Sequence, residues 1–540
     1  VVGRGFNRTS VLDAERRRLS MPEHGVLSIG VGYPNSYHVA HSSLAYQWVT
    51  ELTASEPDVA VGRFLAPPDG DGRTLDHAVP LRRLDVVAWS CSFELDAVNI
   101  LTTLDRAGIP RRRDRRSNRD PLTVLGGPVA TINPLPLAAA IDVFVLGAAE
   151  LLWPALIRLA RSQPDRDRLL LALADRDGYF VPKHHLDDRG RPRQRVRRLE
   201  KPDVEIVDPR MVPSSHLVTP HTEYRERGLV EMSRGCPEKC RYCWISHSLG
   251  KLRCYPTDAI LDRVHQLAEI TDRVGFVATA VGDHPDLPLI LNESRQLGLD
   301  VALSSLRIPA MVREVLSPLA DSGARSVTIA PETGSDELRF ELRKPIPNHR
   351  ILEAAETAQR CGIPNLKMYF IVGLPGETDA DVEAIADLLA DTQKLMRGHG
   401  RMRGRMGSLH AGCSILVPKP YTPYSRAPVL SRREYRRRIE LLESRLKRIP
   451  NLRFDRPSYR EAAWQTLLSR GDSTTFELID QLADHGSLGR LLSEHKNSVV
   501  RNALKPVEGE PIWRFIGSTP TVRSSDCPRP VTDPGRGGGF

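Results

Sequence analysis

From residue 229 onward the sequence alternates extended apolar runs with helical patterns, and this alternation restricts the fold more than any other feature. The extended runs are LVEMSRG, VGFVATAVG, DVALSSLR, SVTIAPETG, NLKMYFIVGLPG and LHAGCSILVPKP. Between them lie TDAILDRVHQLAEIT, LPLILNESRQLG, IPAMVREVLSPLADSG, HRILEAAETAQRCG and TDADVEAIADLLADTQKLM, with apolar residues at helical spacing. Six such β/α units in succession predict a parallel barrel, or part of one, with its chemistry at the carboxyl ends of the strands. Residues 229–425 are assigned to this partial (β/α)6 barrel.

A second alternation covers 26–162. VLSIGVGYP, VAVGRFLAPP, LDVVAWSCSF, PLTVLGGP and IDVFVLGAAE read as strands, SSLAYQWVTELTA and ELDAVNILTTLDRAGI as helices, with a further helix at 151–162. This pattern predicts an α/β, Rossmann-like parallel sheet covered on both faces, with a ligand site on its carboxyl edge. Residues 1–25 form an N-terminal extension. Residues 163–228 hold no period for long and read as a linker or irregular extension, with a hairpin near GYFVPKHH. Residues 426–515 are mostly helical, clearest in SRREYRRRIELLESRLKRI and TTFELIDQLADHG, and are expected to close the barrel mouth. The stretch 516–540, ending SSDCPRPVTDPGRGGGF, has the composition of a disordered tail.

The first barrel run leads into GCPEKCRYCWISHS, which holds three of the chain's eight cysteines, Cys236, Cys240 and Cys243, spaced C-x3-C-x2-C. Three thiolates on so short a loop can hold three corners of a cubane 4Fe–4S cluster, leaving the fourth iron open to an exogenous ligand. Gly235 and Pro237 supply unusual backbone angles at the loop's entrance. The competing assignment is structural zinc, because His247 completes a Cys3His set. A position at the end of a strand that opens a β/α series favours the cluster, since catalytic rather than structural sites lie there. Cys361 and Cys413 fall in helix and strand patterns and read as small buried side chains.

The cysteine spacing, the aromatic Tyr242 before the third cysteine, and VALSSLR, SVTIAPETGSDELR, NLKMYFIVGLPGET and LVPKPYTPY in that order together resemble the radical S-adenosylmethionine (SAM) superfamily over 229–425. The resemblance implies that the open iron chelates the amino and carboxylate groups of SAM. It also implies that the reduced cluster cleaves the sulfonium to a 5′-deoxyadenosyl radical. Tyr242 then lies beside the cofactor. Asp283, in GDHP, stands where the superfamily often carries Gly-Gly-Glu, and is a shorter acid for the SAM ammonium. Gly373 and Gly376, in GLPGET, let the backbone come close to a flat ring such as adenine. Glu332 ends a strand where a carboxylate can receive ribose hydroxyls or the ammonium, or can act as a cap. Ser304, Ser305 and Arg307 end the preceding strand, and Arg307 either meets a substrate or SAM carboxylate or forms a structural ion pair. Lys367, on a buried strand, is costly unless paired or facing the barrel mouth, which makes it a second catalytic candidate.

GYPNSYHVAHSSLAYQ, VVAWSCSFELDAVNILTTL, VLGGPVATINPLPLA and DVFVLGAAE resemble the N-terminal half of radical SAM proteins with a cobalamin-binding domain. In that family the corrin sits on the carboxyl edge of the sheet and its nucleotide tail runs beside a glycine-rich turn. By resemblance Gly126, Gly127 and Thr131 form that turn, and Ser90 and Ser92 touch the tail or the corrin amides. The D-x-H-x-x-G pattern is absent, and His38 and His41 lack its context. Either cobalamin binds without a protein nitrogen below cobalt, or the sheet holds no corrin. Arg63, in VGRFLAPP, is a candidate for the lower face of the ring, or else a surface ion pair.

The leading expectation is a cobalamin-dependent radical SAM methyltransferase acting on an unactivated carbon, or phosphorus, of a small molecule or peptide, with an external electron donor for the cluster. A second is a radical SAM enzyme without cobalamin that modifies RNA or a cofactor. A third is a non-catalytic iron–sulfur or zinc scaffold or redox sensor. Methylthio transfer to tRNA would need three further ligating cysteines near the N-terminus, where only Cys91 stands. The net charge of +9 concentrates in RRRDRR (111–116), RGRPRQRVRR (189–198) and RREYRRR (432–438). The first two read as exposed connectors and the third as a solvated helix face. Apart from Tyr435 in the third run, no aromatic residues interleave with them as stacking platforms, which disfavours a nucleic-acid partner. No run approaches the roughly 18 to 20 apolar residues of a membrane span. VVGRGFNRTSVLDAERRRLS lacks the core of a secretory signal. The scattered cysteines make no disulfide framework, so a cytoplasmic location is expected.

Overall fold

The computed structural model describes residues 6–199, 211–494 and 499–518. The tail assigned to 516–540 lies outside these residues from 519 onward.

The first sheet contains β1 (Leu27–Tyr33), β2 (Val59–Leu65), β3 (Val86–Ser90), β4 (Leu122–Gly126), β5 (Val143–Val145) and β6 (Tyr179–Phe180). The strands lie in the order 2-1-3-4-5-6, the first five parallel and β6 antiparallel. β1 to β5 are buried along almost their whole length, as a sheet covered on both faces requires. The expected Rossmann-like sheet thus takes the flavodoxin-like order, whose topological switch lies between β1 and β3.

Helices Leu44–Ala54, Ala149–Ser162 and Arg166–Ala174 cover one face, packing on Val31, Val61, Val124 and Val145. Helix Ala97–Arg106 covers the other, and here the expectation for the C-terminal region fails. Helices Tyr459–Arg470 and Phe476–His485 do not close the barrel mouth. Their Trp464, Leu467, Phe476 and Ile479 share one core with Phe64, Val87 and Trp89 of the N-terminal sheet and with Leu101 of helix Ala97–Arg106. The RRRDRR run secures this docking and is no exposed connector. Arg111 pairs with Asp105, with Asp480 (2.7 Å) and with Asp484 (2.8 Å), and Arg112 pairs with Glu477 (2.9 Å). Arg116 is buried against Asp142.

The stretch assigned as linker is also structured. It supplies helix Arg166–Ala174, then β6, then helix Pro182–His185 in place of a hairpin. Val196–Arg198 pairs in parallel with Ile516–Ser518.

The barrel strands are β7 (Gly228–Arg234), β8 (Arg273–Ala278), β9 (Asp300–Leu303), β10 (Ser326–Glu332), β11 (Asn365–Val372), β12 (Leu409–Ile415) and β13 (Leu452–Asp455). β7 to β9 and β10 to β13 each form a parallel run. A hydrogen bond from Leu306 N to Thr328 O (3.0 Å) links the two runs. β13 was hidden in the region read as helical, and it extends the expected partial barrel by a strand. The RREYRRR run lies on helix Arg432–Leu446, where Arg437 pairs with Asp379 (2.7 Å) and Arg438 with Glu377. Among the described residues no helix is long and apolar enough to cross a membrane.

Arg63 departs from its proposed role. It is fully buried, and its guanidinium is filled by Glu15 (2.9 Å) and Asp76 (2.7 Å), leaving none of it for a corrin. Neither does it pair on the surface. Its Nη1 donates to His41 Nε2 at 3.0 Å, and His41 Nδ1 lies 3.1 Å from Tyr37 O, which fixes a neutral imidazole protonated at Nδ1. Burial, then the Arg63 charge, hold the His41 pKa down at about 4. Burial alone would raise Glu15, but Arg63 and the other neighbouring cations outweigh it and hold that carboxyl at about 2. Both effects have one sign. The unfolded chain protonates His41 below its ordinary 6.5 and Glu15 below 4.5, before the folded chain does. Stability is expected to be full above pH 6.5 and to fall as pH drops toward 4 and then 2. Urea midpoints at pH 7.5 and 5 check this, and equal midpoints would contradict it.

Candidate active site at the barrel mouth

The cysteine loop leaves the carboxyl end of β7. Gly235 opens it at φ +86°, and a Cβ there would lie 2.3 Å from Lys251 O, so only glycine fits. Cys236 and Cys240 are buried, Cys243 is half-buried, and none is in a disulfide. Burial pushes the Cys240 thiol up to about 12 and raises Cys236, and Cys243 adds to both rises. Cys243 is near enough to act on both of the others, and burial makes thiolates there costly unless an inorganic cation compensates them. That donor set fits an iron–sulfur cluster. Zinc fits less well: His247 Nε2 is turned to Cys240 O at 3.1 Å. Among the described residues no three His, Cys, Asp or Glu side chains meet as a single ion requires. A cubane, with its irons at separate corners, does not need that convergence.

Glu332 ends β10 after a register irregularity between Ile329 and Glu332, and it is buried at φ +70°. Such irregularities re-aim side chains, and a non-glycine residue held at positive φ marks a position where function is worth seeking. Tyr242 Oη donates to Glu332 Oε1 at 2.7 Å and Lys344 Nζ donates to the same oxygen at 2.8 Å. Burial, and next the Glu332 charge, raise the Tyr242 pKa, keeping the phenol a donor. Oε2 has no protein partner among the described residues. Lys344 carried no signal in the sequence, because its partner lies on the far side of helix Asp336–Glu341.

Arg307 takes the ion-pair branch of its two readings. Its Nη1 lies 2.6 Å from both Asp283 oxygens, and its Nη2 reaches Glu238 inside the cysteine loop. Arg307 and Asp283 thus brace the loop and neutralise each other. Ser304 Oγ donates to Ala278 O at 3.3 Å, and Ser305 is exposed. Gly373 (φ +83°) and Gly376 (φ +82°) hold the turn after β11, which Glu377 closes by accepting from Gly373 N at 2.7 Å. Burial raises the Glu377 pKa to about 7.

Lys367 is a correction. It is exposed near the amino end of β11, and Phe370, three residues on, is the register partner of Glu332. At about 3.3 Å per residue it lies roughly 10 Å below the level of Glu332, away from the strand ends.

A cavity of about 540 Å³ separates the carboxyl edge of the first sheet from the barrel. Ser90, Gly127 and Thr131 line it from the sheet, and Trp244, Ser304 and Arg234 from the barrel. Four of the sequence-selected residues therefore meet in one space. Ser92 instead bonds Tyr33, and Gly126 stays outside the lining. Gly127 is required by packing, since a Cβ there would meet Cys91 O at 2.6 Å. Three residues absent from the sequence-based set matter here. Trp244, next to Cys243, has a buried indole Nε1 without a hydrogen-bond partner among the described residues. Arg234, just before Gly235, pairs with Glu231 (2.6 Å) and with the fully buried Glu150 of the sheet domain (2.9 Å). This ion pair fixes the cysteine loop against the sheet.

Comparison with known proteins agrees with this order of domains. The family described as radical SAM proteins, N-terminal, matches residues 56–182, and the radical SAM superfamily matches 230–389. An uncharacterised Methanocaldococcus jannaschii protein, MJ0966, is 24% identical over 91% of this chain and 99% of its own length. An uncharacterised methyltransferase of Pyrococcus horikoshii, PH0819, is 26% identical over 56% of this chain, which spans 65% of that relative. A structure of the cobalamin-dependent SAM radical enzyme OxsB with aqua-cobalamin bound superposes with a TM-score of 0.49 at 13% identity, over 74% of this chain and 60% of that one. From the cysteine loop at the first barrel strand, and from radical SAM matches to both sheet and barrel, the chain belongs to the radical S-adenosylmethionine superfamily.

Proposed function

We propose that this radical SAM enzyme is a methyltransferase that holds cobalamin between its N-terminal sheet and its barrel and methylates an unactivated carbon, or phosphorus, of a small molecule or peptide. The observation that carries the reading is the shared cavity, where the carboxyl edge of a flavodoxin-like sheet faces the barrel mouth one residue from a cluster cysteine. The name of the Pyrococcus horikoshii relative supports methyl transfer.

Cys236, Cys240 and Cys243 would hold the cluster, which supplies one-electron chemistry at the SAM sulfonium. Glu332, held by Tyr242 and Lys344, offers Oε2 to the SAM ammonium or ribose. The turn of Gly373 and Gly376 offers backbone to adenine. Ser90, Thr131, Ser304 and the indole N–H of Trp244 are the hydrogen-bonding groups for cobalamin's amides, and cobalamin supplies a methyl carrier. The apolar walls from Leu44, Trp48 and Leu249 keep water from the space between.

The alternative of RNA modification without cobalamin loses its main support, because two of the arginine runs are engaged in ion pairs within the chain.

The test is purification after expression with ample cobalamin. Protein with both iron–sulfur and base-off cobalamin absorption is expected. Thr131→Trp should lower cobalamin retention by about ten- to a hundredfold, the equivalent of overpacking by 1–3 kcal/mol, with iron and sulfide content unchanged. Cluster-replete protein without cobalamin would overturn the cobalamin reading.

A further inference from the structure

β11 lies between β10 and β12 and is hydrogen-bonded on both edges. Its Leu366, Met368 and Phe370 face outward and are buried in one core with Ile351 and Ala355 of helix Asn348–Arg360 and Ile385 of helix Asp379–Met402. Alternation along the strand therefore turns Lys367, Tyr369 and Ile371 onto the inner wall of the barrel. Ile371, the highest of the three, shares a small core with Leu338, Leu374 and Leu416, against which Tyr242 packs. The row thus climbs from Lys367 to the cysteine loop.

A closed barrel fills its interior with packed apolar side chains. Here Lys367 is exposed and Tyr369 is 46% exposed, so this inner wall is open. Tyr369 leans toward β12, where the edge of its ring rests on its register partner Gly412. A Cβ at Gly412 would meet ring atoms Cδ1 and Cε1 at 2.5 Å, so any larger residue there would push the ring aside. Standing edge-on to the wall, the ring keeps a face for the lumen, where a flat apolar group can stack on it.

The two carboxylates on the wall of β10 to β13 are both engaged. Glu332 pairs with Lys344 (2.8 Å), while Asp455, level with Tyr369, lies 2.6 Å from His410 Nε2 and 3.2 Å from Arg453 Nε. Across the lumen Glu231 is held by Arg234 (2.6 Å) and Tyr255 (3.1 Å). Lys367, between Thr328 and His410 in register, has no hydrogen bond or ion pair among the described residues. Water satisfies its ammonium while the lumen is empty. A substrate that fills the lumen displaces that water, and the ammonium then needs an anion.

We propose that this inner wall selects the substrate: a small molecule whose flat ring lies on Tyr369 and whose carboxylate or phosphate is held by Lys367, so that its reacting centre points to the mouth. Lys367 lies too low to meet the reacting atoms, so it is a positioning residue and not a catalytic one. Two residues on one face of a strand are about 6.6 Å apart, so only a few bonds separate ring from anion. The assignment of this ligand as the substrate rests on the methyltransferase reading above.

The experiment uses the full-length protein purified after expression with ample cobalamin, and probes of one shape: phenylpropionate, its uncharged amide, and phenethyl phosphate. Affinities are read by equilibrium dialysis. The wild type should bind the acid about three- to tenfold more tightly than the amide, as an ion pair between exposed and half-buried provides. Lys367→Met should erase that preference, leave the amide unchanged and keep iron content and Tm, since the side chain touches no partner. Tyr369→Leu should weaken acid and amide alike. Whichever of acid and phosphate binds more tightly, and loses that affinity in Lys367→Met, identifies the anion. Equal affinity of acid and amide for the wild type, no binding of either, or a preference that survives Lys367→Met would overturn the inference alone. Protein that selects the acid through Lys367 yet retains no cobalamin would instead overturn the cobalamin reading and leave the anion site standing.

Discussion

Replacement of Cys236, Cys240 or Cys243 by alanine, one at a time, is expected to abolish cluster assembly, with bound iron and sulfide falling to background and SAM cleavage lost. The effect should be all-or-none, because three protein sulfurs are the minimum that leaves a single open corner on a cubane. Cys254→Ala, Cys361→Ala and Cys413→Ala are the controls. Cys254 lies on the short strand Arg253–Cys254 beside β7, opposite Ser233, which makes it the most stringent of them. Retained iron in a Cys243→Ala protein, or a bleached Cys254→Ala protein, would show that the ligand set is misassigned. Anaerobic reconstitution followed by iron, sulfide and zinc determination reads the whole series.

Arg63→Leu is expected to cause the largest loss of stability of any single substitution in the N-terminal sheet. It leaves Glu15 and Asp76, whose side chains are at most 2% exposed, to share Arg17 as their one remaining cation (2.6 and 3.3 Å). Breaking a buried ion pair from one side costs about 3–5 kcal/mol. The measurement is urea unfolding at pH 7.5, followed by tryptophan fluorescence. Arg63→Leu combined with Glu15→Gln and Asp76→Asn should recover part of the loss, since the stranded charges are gone. A corrin-facing role would show the reverse pattern: near-native stability with cobalamin retention lost.

The strands were legible because they are long and continuously apolar. LSIGVGY, VVAWS and NLKMYFIV announce themselves from composition alone. Tyr179–Phe180 and Val196–Arg198 did not, because two or three residues carry no period and the latter's partner, Ile516–Ser518, lies some three hundred positions away. LRFD in β13 was lost to the helical patterns on either side of it. The cysteines were readable because their chemistry depends on spacing within one loop. Arg63 was not, since its meaning is set by Glu15 and Asp76, which only the fold brings to it. Lys367 was misjudged for a related reason: position along a strand decides whether a residue reaches the mouth, and sequence gives the strand but not its level. Glu150 and Arg234 follow the same rule. Each is an ordinary charge until sheet and barrel meet.

The same consideration explains the C-terminal helices. Their apolar faces were visible, yet apolarity does not name a partner. Trp464 and Phe476 bury themselves on the first sheet, beside Trp89 and Leu101, rather than on the barrel that precedes them in the chain.

The central claim is that three thiolates hold a cluster whose remaining iron takes up SAM. Electron paramagnetic resonance of the reduced, reconstituted protein, recorded with and without SAM, tests it most directly. A cluster signal that shifts on addition of SAM is predicted, because a new ligand changes the electronic environment of the open iron. An identical spectrum in both samples, or a protein that retains stoichiometric zinc and no sulfide, would contradict it.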